Sequence, residues 1–470
     1  MRSTWLGLSV GILSLIGCNA LWQGYLSPLD DPSDASVANS DLTGVPPDDL
    51  TGADLTGVDL AMTPTTKLCG YAVAPSGTFR YSSYQTVGSL GTINATKLAV
   101  IDIDKDGRAE IAASTSNPPV KIFKLVSNGS TCTYNTPIDC NTTNSIWELR
   151  GLQIDNNVGA FIVVKNNNNS TAFATCSEIP VIARDFTSPK FSNSPSRREA
   201  TVPPIGSTTN GIFSLFEKGT DSVGDRINSV KLDANLSLVS VNLVASLSTN
   251  TPYEPRNTTG ARIDDTAPDG ILDAISMEAD DAAKLGRLQI YNNNQSASPS
   301  QTKASYSLGA SSNSLADANR IVAAKWTPDI YDDAIAIIDG STPKLQPYII
   351  TSGPTITPKA QISLSIPQAP TASEYRTRIL FADLNQDGID ELITFNSTSV
   401  QIYTYTASTN TLSLAQTITG KSSYTISAIA LGFMEKSVSA TVPDIFVISG
   451  SSTAYEIGVF RHVPIGVATQ

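Results

Sequence analysis

The stretch Asp102-Ile103-Asp104-Lys105-Asp106-Gly107-Arg108-Ala109-Glu110 has a near twin in Asp383-Leu384-Asn385-Gln386-Asp387-Gly388-Ile389-Asp390-Glu391. Each copy carries oxygen-bearing side chains at positions 1, 3, 5 and 9 and glycine at position 6. A hard cation such as Ca²⁺ takes about six to eight oxygen ligands, and a short turn wraps one only if alternate side chains point inward. The candidate ligands are therefore Asp102, Asp104, Asp106 and Glu110 with the carbonyl of Arg108, and Asp383, Asn385, Asp387 and Glu391 with the carbonyl of Ile389. Apolar runs flank both turns: Leu98-Ala99-Val100-Ile101 and Ile111-Ala112-Ala113 the first, Ile379-Leu380-Phe381-Ala382 and Leu392-Ile393-Thr394-Phe395 the second. Short apolar runs bounded by turn residues read as buried strands. Position 12 is Ala113 or Thr394 rather than the bidentate glutamate of a helical calcium loop. The unit is a strand, an ion-binding turn and a strand.

Asp-x-Asp/Asn-x-Asp-Gly-x-x-Glu between two short strands resembles the FG-GAP/VCBS repeat of integrin-type β-propellers and many secreted bacterial proteins. That resemblance implies a propeller with structural calcium. Five weaker echoes support a repeat reading: 151–164, 212–230, 263–273, 321–337 and 426–448. In the third of these Asp265, Asp269, Gly270 and Asp273 are kept and Ala267 stands at position 3. Onsets near 98, 150, 212, 262, 321, 379 and 426 are about 47 to 62 residues apart. Seven units of that length fit an all-β, seven-bladed propeller of four-stranded antiparallel blades, with six or eight blades as alternatives because the unit from 212 parses badly. The clearest unit has strands at 379–382, 392–396, 400–405 and 412–418. In the first, Val120 to Val126 reads as the third strand and Cys132 to Tyr134 falls in the fourth. The segment from Thr78 to Val87 is expected to complete the last blade and so remove an exposed edge, and Val463 to Val467 reads as a short final strand. Two or three immunoglobulin-like sandwiches are the competing architecture.

Ahead of this body, Arg2 and the apolar run Trp5 to Ile16 form a signal sequence too short to span a bilayer comfortably. Leu15-Ile16-Gly17-Cys18 resembles the bacterial lipobox, which implies cleavage before Cys18 and lipid on it. Asn19 follows, which by the usual sorting rule favours the outer membrane, facing the periplasm or the exterior. Residues 18–66, rich in Asp, Thr and Pro, read as a solvated tether, and 67–470 as the propeller. Four further cysteines allow three disulfide connectivities, of which Cys132–Cys140 with Cys69–Cys176 is preferred.

Charge narrows the partners. With 31 basic and 43 acidic residues the chain has a formal charge of −12, which does not favour nucleic acid. One histidine, His462, excludes a multi-histidine metal centre and reads as a rim residue. No nucleophile elbow or phosphate loop is present. Asp332-Asp333 and Asp280-Asp281 are poor acid pairs, because neighbours on a strand point to opposite faces. Trp147 and Trp326 suit buried packing better than a sugar-binding rim. The expectation is a non-enzymatic envelope lipoprotein that binds a protein or glycan ligand, or acts as a scaffold. A polysaccharide hydrolase or lyase, or an outer-membrane assembly scaffold, are the rivals. The first turn has four carboxylates and the second three with an amide, so the second is expected to hold calcium more weakly.

Overall fold

A computed structural model describes residues 77–463 apart from 105, 129–130, 155–158, 167–170, 178–181, 193–194, 204–210, 220–224, 248–253, 264–271, 281–282, 284, 294–301, 310–319, 339–341, 365–377 and 436–441. The signal sequence, Cys18, the tether, Cys69 and the acidic turns at 155–157, 221 and 265–270 lie outside the described residues. What is described is all β, in seven four-stranded antiparallel blades set in a ring, with no helix among the described residues.

The inner strands of blades one to seven are Lys97–Ile101, Ser145–Gln153, Pro195–Thr201, Glu254–Ala261, Arg320–Ala324, Ile379–Ala382 and Thr425–Gly432. Successive strands then step outward. In blade six these are Glu391–Phe395, Ser399–Thr406 and Thr411–Thr419, close to the boundaries read from the sequence. Blade five ends on two short pieces, Thr355–Pro358 and Ile362–Ser363, both paired to Lys344–Thr351. The ring closes as expected: Gln85–Gly91 pairs antiparallel with Tyr455–Phe460 as the outermost strand of blade seven. The closing strand starts later than the sequence suggests, since residues 77–80 form a turn and Tyr81 makes only one bridge, to His462. Val463 is not in a strand, and 464–467 lie outside the described residues.

The continuous apolar runs have a simple cause. A strand inside a propeller is covered on both faces, by the blades before and after it, so alternate residues serve different interfaces. Leu98, Val100, Ile111 and Ala113 pack toward blade seven, whereas Ala99, Ile101 and Ala112 pack toward blade two. Seven apolar clusters among the described residues lie one between each pair of neighbouring blades. Trp326 is buried in the cluster between blades five and six, stacked on Tyr405 at 4.2 Å. Trp147 packs at the edge of the cluster between blades two and three.

Three expectations need correction. The unit placed at 212–230 is the second and third strands of blade three, Ile212–Gly219 and Asp225–Leu232. Its inner strand, Pro195–Thr201, carries Arg197, Arg198 and Glu199, so no apolar run marks it. Arg198 is nonetheless buried, paired at 2.7 Å with equally buried Glu217. In blade one the third strand stops at Phe123, a separate hairpin (Leu125–Asn128 with Thr131–Tyr134) follows, and the fourth strand is Ile138–Cys140. The disulfide joins Cys140 to Cys176, which excludes both preferred pairs. It links the outer strand of blade one to the third strand of blade two, a contact created by ring packing and invisible in cysteine spacing.

Candidate functional site

The two acidic turns follow the inner strands of blades one and six, and their backbones are wired alike. Gly107 N donates to Asp102 Oδ2 at 3.1 Å and Gly388 N to Asp383 Oδ2 at 2.9 Å. Arg108 N reaches Asp106 Oδ1 at 2.9 Å and Ile389 N reaches Asp387 Oδ1 at 2.8 Å. Ile103 N and Leu384 N donate to Glu110 Oε2 and Glu391 Oε2 at 2.9 and 2.7 Å. Gly107 and Gly388 have φ of +81° and +85°, a region that side-chain-bearing residues rarely adopt. The glycine at position 6 is therefore a backbone requirement.

A ligand oxygen each from Asp102, Asp104 and Asp106 lies within 4.8 Å of the other two, the one such acidic set among the described residues. Glu110 is fully buried behind them, and its Oε1 is buried without a hydrogen-bond partner. Burial raises the Glu110 carboxyl to about 8, and the neighbouring aspartates add to the rise. An unsatisfied buried oxygen beside mutually repelling carboxylates fits a hard cation. Lys124 meets part of that charge, with Nζ on Asp104 and 3.7 Å from Asp106. In the second turn the Asn385 amide nitrogen donates to Asp387 at 3.0 Å and Glu391 at 3.1 Å. The amide oxygen of Asn385 accepts Asp387 N at 2.9 Å, so a half-turn that presents oxygen to those carboxylates gives up that bond. Burial raises Glu391 to about 7.

The position-9 carboxylate proves more general than the ion-binding pattern. The first residue of the second strand is acidic and buried in five blades: Glu110, Asp273, Asp333, Glu391 and Asp444. Four of them accept the N–H two residues beyond the inner strand, from Ile103, Trp326, Leu384 and Met434. Asp273 instead accepts from Asn293 N at 2.8 Å and pairs with Lys303 at 2.7 Å. This clasp folds the turn back over its strand and plugs the blade with a buried apolar side chain. The signal in the sequence is an acid directly before the second apolar run. Blade two has Gly159 there, where a Cβ would come within 2.4 Å of the Asp102 carbonyl.

The turns are also tied around the ring. Ala109 N donates to Met434 O of blade seven at 3.2 Å, Asp390 N to Lys325 O of blade five at 2.7 Å, and Asp332 N to Arg262 O of blade four at 3.0 Å. Asp390 Oδ2 accepts Lys325 N, and Asp332 accepts Arg262 through both oxygens. Asp332 and Asp333 do face apart, since Asp333 accepts from Trp326 and Ile350 within its own blade. Asp280 caps Ala283 N, and Asp281 lies outside the described residues. His462 is half-buried, and burial lowers its imidazole to about 4.

Inside the ring is a cavity of about 500 Å³, lined by all seven blades and by the ends of their inner strands. Toward the starts of those strands, buried Arg320 of blade five meets Glu199 of blade three at 3.0 Å and Glu148 of blade two at 3.8 Å. The second acidic turn contributes Asp383, Gly388 and Asp390 to the cavity lining.

No family model matches the chain, and no curated protein matches it. Solved structures do. BBS1N, crystallised in complex with ARL6DN, aligns with TM-score 0.47 at 10% identity over 82% of this chain and 99% of that one. The Nup133 β-propeller domain of Vanderwaltozyma polyspora gives TM-score 0.46 at 10% identity, with 82% and 99% covered. A Lactobacillus plantarum protein gives 0.39 at 13% identity, with 70% and 85% covered.

Proposed function

We propose that the chain is a binding or scaffold protein of the bacterial cell envelope, an FG-GAP-like propeller stiffened by calcium at 102–110 and 383–391 and anchored through lipid on Cys18. The observation that carries the calcium reading is the matched wiring of the two turns, with Asp102, Asp104 and Asp106 converging to within 4.8 Å. Asp102, Asp104, Asp106 and Glu110 would hold one ion, and Asp383, Asn385, Asp387 and Glu391 the other. The ion neutralises carboxylates that otherwise repel one another and locks each turn to its blade.

The cavity supports binding over catalysis. Hydrolysis of a glycosidic bond needs two carboxyl groups free to act on opposite sides of it. Asp332, Asp383 and Asp390 line the cavity, but Asp332 carries Arg262 on both oxygens, Asp383 accepts the amides of Asp387 and Gly388, and Asp390 holds the Lys325 amide. Asp332 and Asp390 brace neighbouring blades. Protease treatment of intact cells separates a surface ligand-binding role, in which the propeller is cut, from a periplasmic scaffold, in which it survives.

Calcium that binds only the folded state adds stability by mass action. With dissociation constants on the order of 10⁻⁴ to 10⁻³ M and about 1 mM calcium, each site contributes about 0.4 to 1.4 kcal/mol. EDTA is therefore expected to lower the melting temperature by several degrees and added calcium to restore it. An identical melt in chelator, with no metal in elemental analysis, would contradict the proposal.

A further inference from the structure

The residue that follows each inner strand sets the charge around the cavity mouth. It is Asp102 in blade one, Asp383 in blade six and Phe433 in blade seven, but Arg262 in blade four and Lys325 in blade five. The mouth therefore mixes both signs: Asp332, Asp383 and Asp390 line it together with Arg262 and Lys325, and Lys325 Nζ lies against Gly388 of the second acidic turn. The acids are engaged: Asp383 by loop amides, Asp390 by Lys325 N, and Asp332 by Arg262. Arg262 is engaged in turn, with its guanidinium on both oxygens of Asp332, which leaves Lys325 as the cation with room for a partner. Half-buried Lys325 has no acceptor for Nζ among the described residues, and the Arg262 side chain is 50% exposed while it pairs with Asp332. Both cations line the same cavity, and so do Val100, Leu149, Val202, Leu380 and Phe433.

We propose that this mouth receives the C-terminal carboxylate of a partner polypeptide, with Lys325 as the primary anion contact, Arg262 beside it, and the apolar wall taking the terminal side chain. A volume of about 500 Å³ suits a chain end or another small ligand. Three aspartates line the same opening, so a dianion such as phosphate is repelled about twice as strongly as a monoanion. The apolar wall favours a peptide end over a uronic-acid sugar. Ile330, in the same turn as Lys325 and Asp332, is 71% exposed and offers a further apolar contact at the rim.

The inference rests on the binding-module reading and names the ligand class for it. The test is calorimetric titration of the full chain with the tripeptide N-acetyl-Ala-Ala-Leu as free acid and as C-terminal amide, in calcium and in EDTA, with digalacturonate as a separate arm. The free acid is expected to bind at least about tenfold more tightly than the amide, Lys325→Met to lose that preference and Lys325→Arg to keep it. Equal binding of acid and amide, no binding at millimolar peptide, tighter binding of digalacturonate, or an unaltered Lys325→Met in a chain that melts normally would each overturn it. Peptide selectivity lost with a calcium-dependent melt intact removes this inference alone. A flat melt with selectivity intact removes the calcium reading alone.

Discussion

In the turn at 102–110 the carboxylates of Asp104 and Asp106 face the ammonium of Lys124, whereas in the turn at 383–391 Asp387 and Glu391 face the amide of Asn385. The backbones match, so the difference lies in what surrounds them. Register makes Lys124 equivalent to Thr404, since Phe123 pairs Ile111 as Tyr403 pairs Leu392. Blade one also fixes its lysine. Asn135, just past the extra hairpin, accepts from Lys124 N at 2.8 Å and donates to Lys124 O at 2.9 Å. Tyr134 then donates to Ala109 O at 3.1 Å. One turn carries a tethered cation of its own, and the other has only a neutral amide. A bound ion would have to displace the lysine in the first turn, and in the second to rotate an amide whose oxygen accepts Asp387 N at 2.9 Å. Competition from the lysine opposes the affinity order expected from counting carboxylates, and the order predicted here has the second turn the tighter.

The largest effects come from removing the shared clasp. Glu391→Ala leaves the Leu384 amide without its acceptor, at about 1 to 3 kcal/mol, and also abolishes the ion's contribution. Asp333→Ala breaks the same clasp in a turn without the ion-binding pattern. Denaturant unfolding in calcium should show the greater loss for Glu391→Ala, and the gap should vanish in EDTA. A gap that persists in EDTA would separate the clasp from the ion.

Next in size is Lys124→Met. Without the ammonium the first turn is expected to bind calcium about tenfold more tightly, roughly 1.4 kcal/mol, as measured calorimetrically with the second turn silenced by Asp383→Asn. An unchanged constant would show that Lys124 does not compete. Asn385→Asp supplies a fourth carboxylate and is expected to tighten the second turn several-fold, provided the added charge is offset by the ion.

A separate effect is a pH dependence outside both ion turns. Burial raises Asp333 to about 7. Its folded value lies above its unfolded one, so its contribution to stability is fully present below about pH 4 and is lost as pH rises through 7. Asp333→Asn should flatten the corresponding segment of the melting-temperature profile between pH 4 and 7, and an unchanged slope would assign that segment to other carboxylates.

The legibility of this chain follows the same physics. Strand–turn–strand units are readable where both strands are sandwiched between blades, because continuous apolar runs result, and blade six is resolved almost to the residue. Blade three is hidden because Arg198 and Glu217 neutralise each other inside it, leaving its inner strand polar in appearance. The Cys140–Cys176 bond and the approach of Lys124 to Asp104 arise from packing between blades or strands, which local spacing does not encode. Of the site, the oxygen-bearing side chains of the two turns are legible by position and the clasp only in part. The groups that compete with an ion are not legible.

The most direct measurement is a calcium titration of the full chain by calorimetry, repeated with Asp104→Ala and with Asp387→Ala. The account requires two calcium ions per chain with unequal constants, the tighter one lost in Asp387→Ala and the weaker one in Asp104→Ala. Absence of calcium binding, or retention of both sites in either variant, would contradict it.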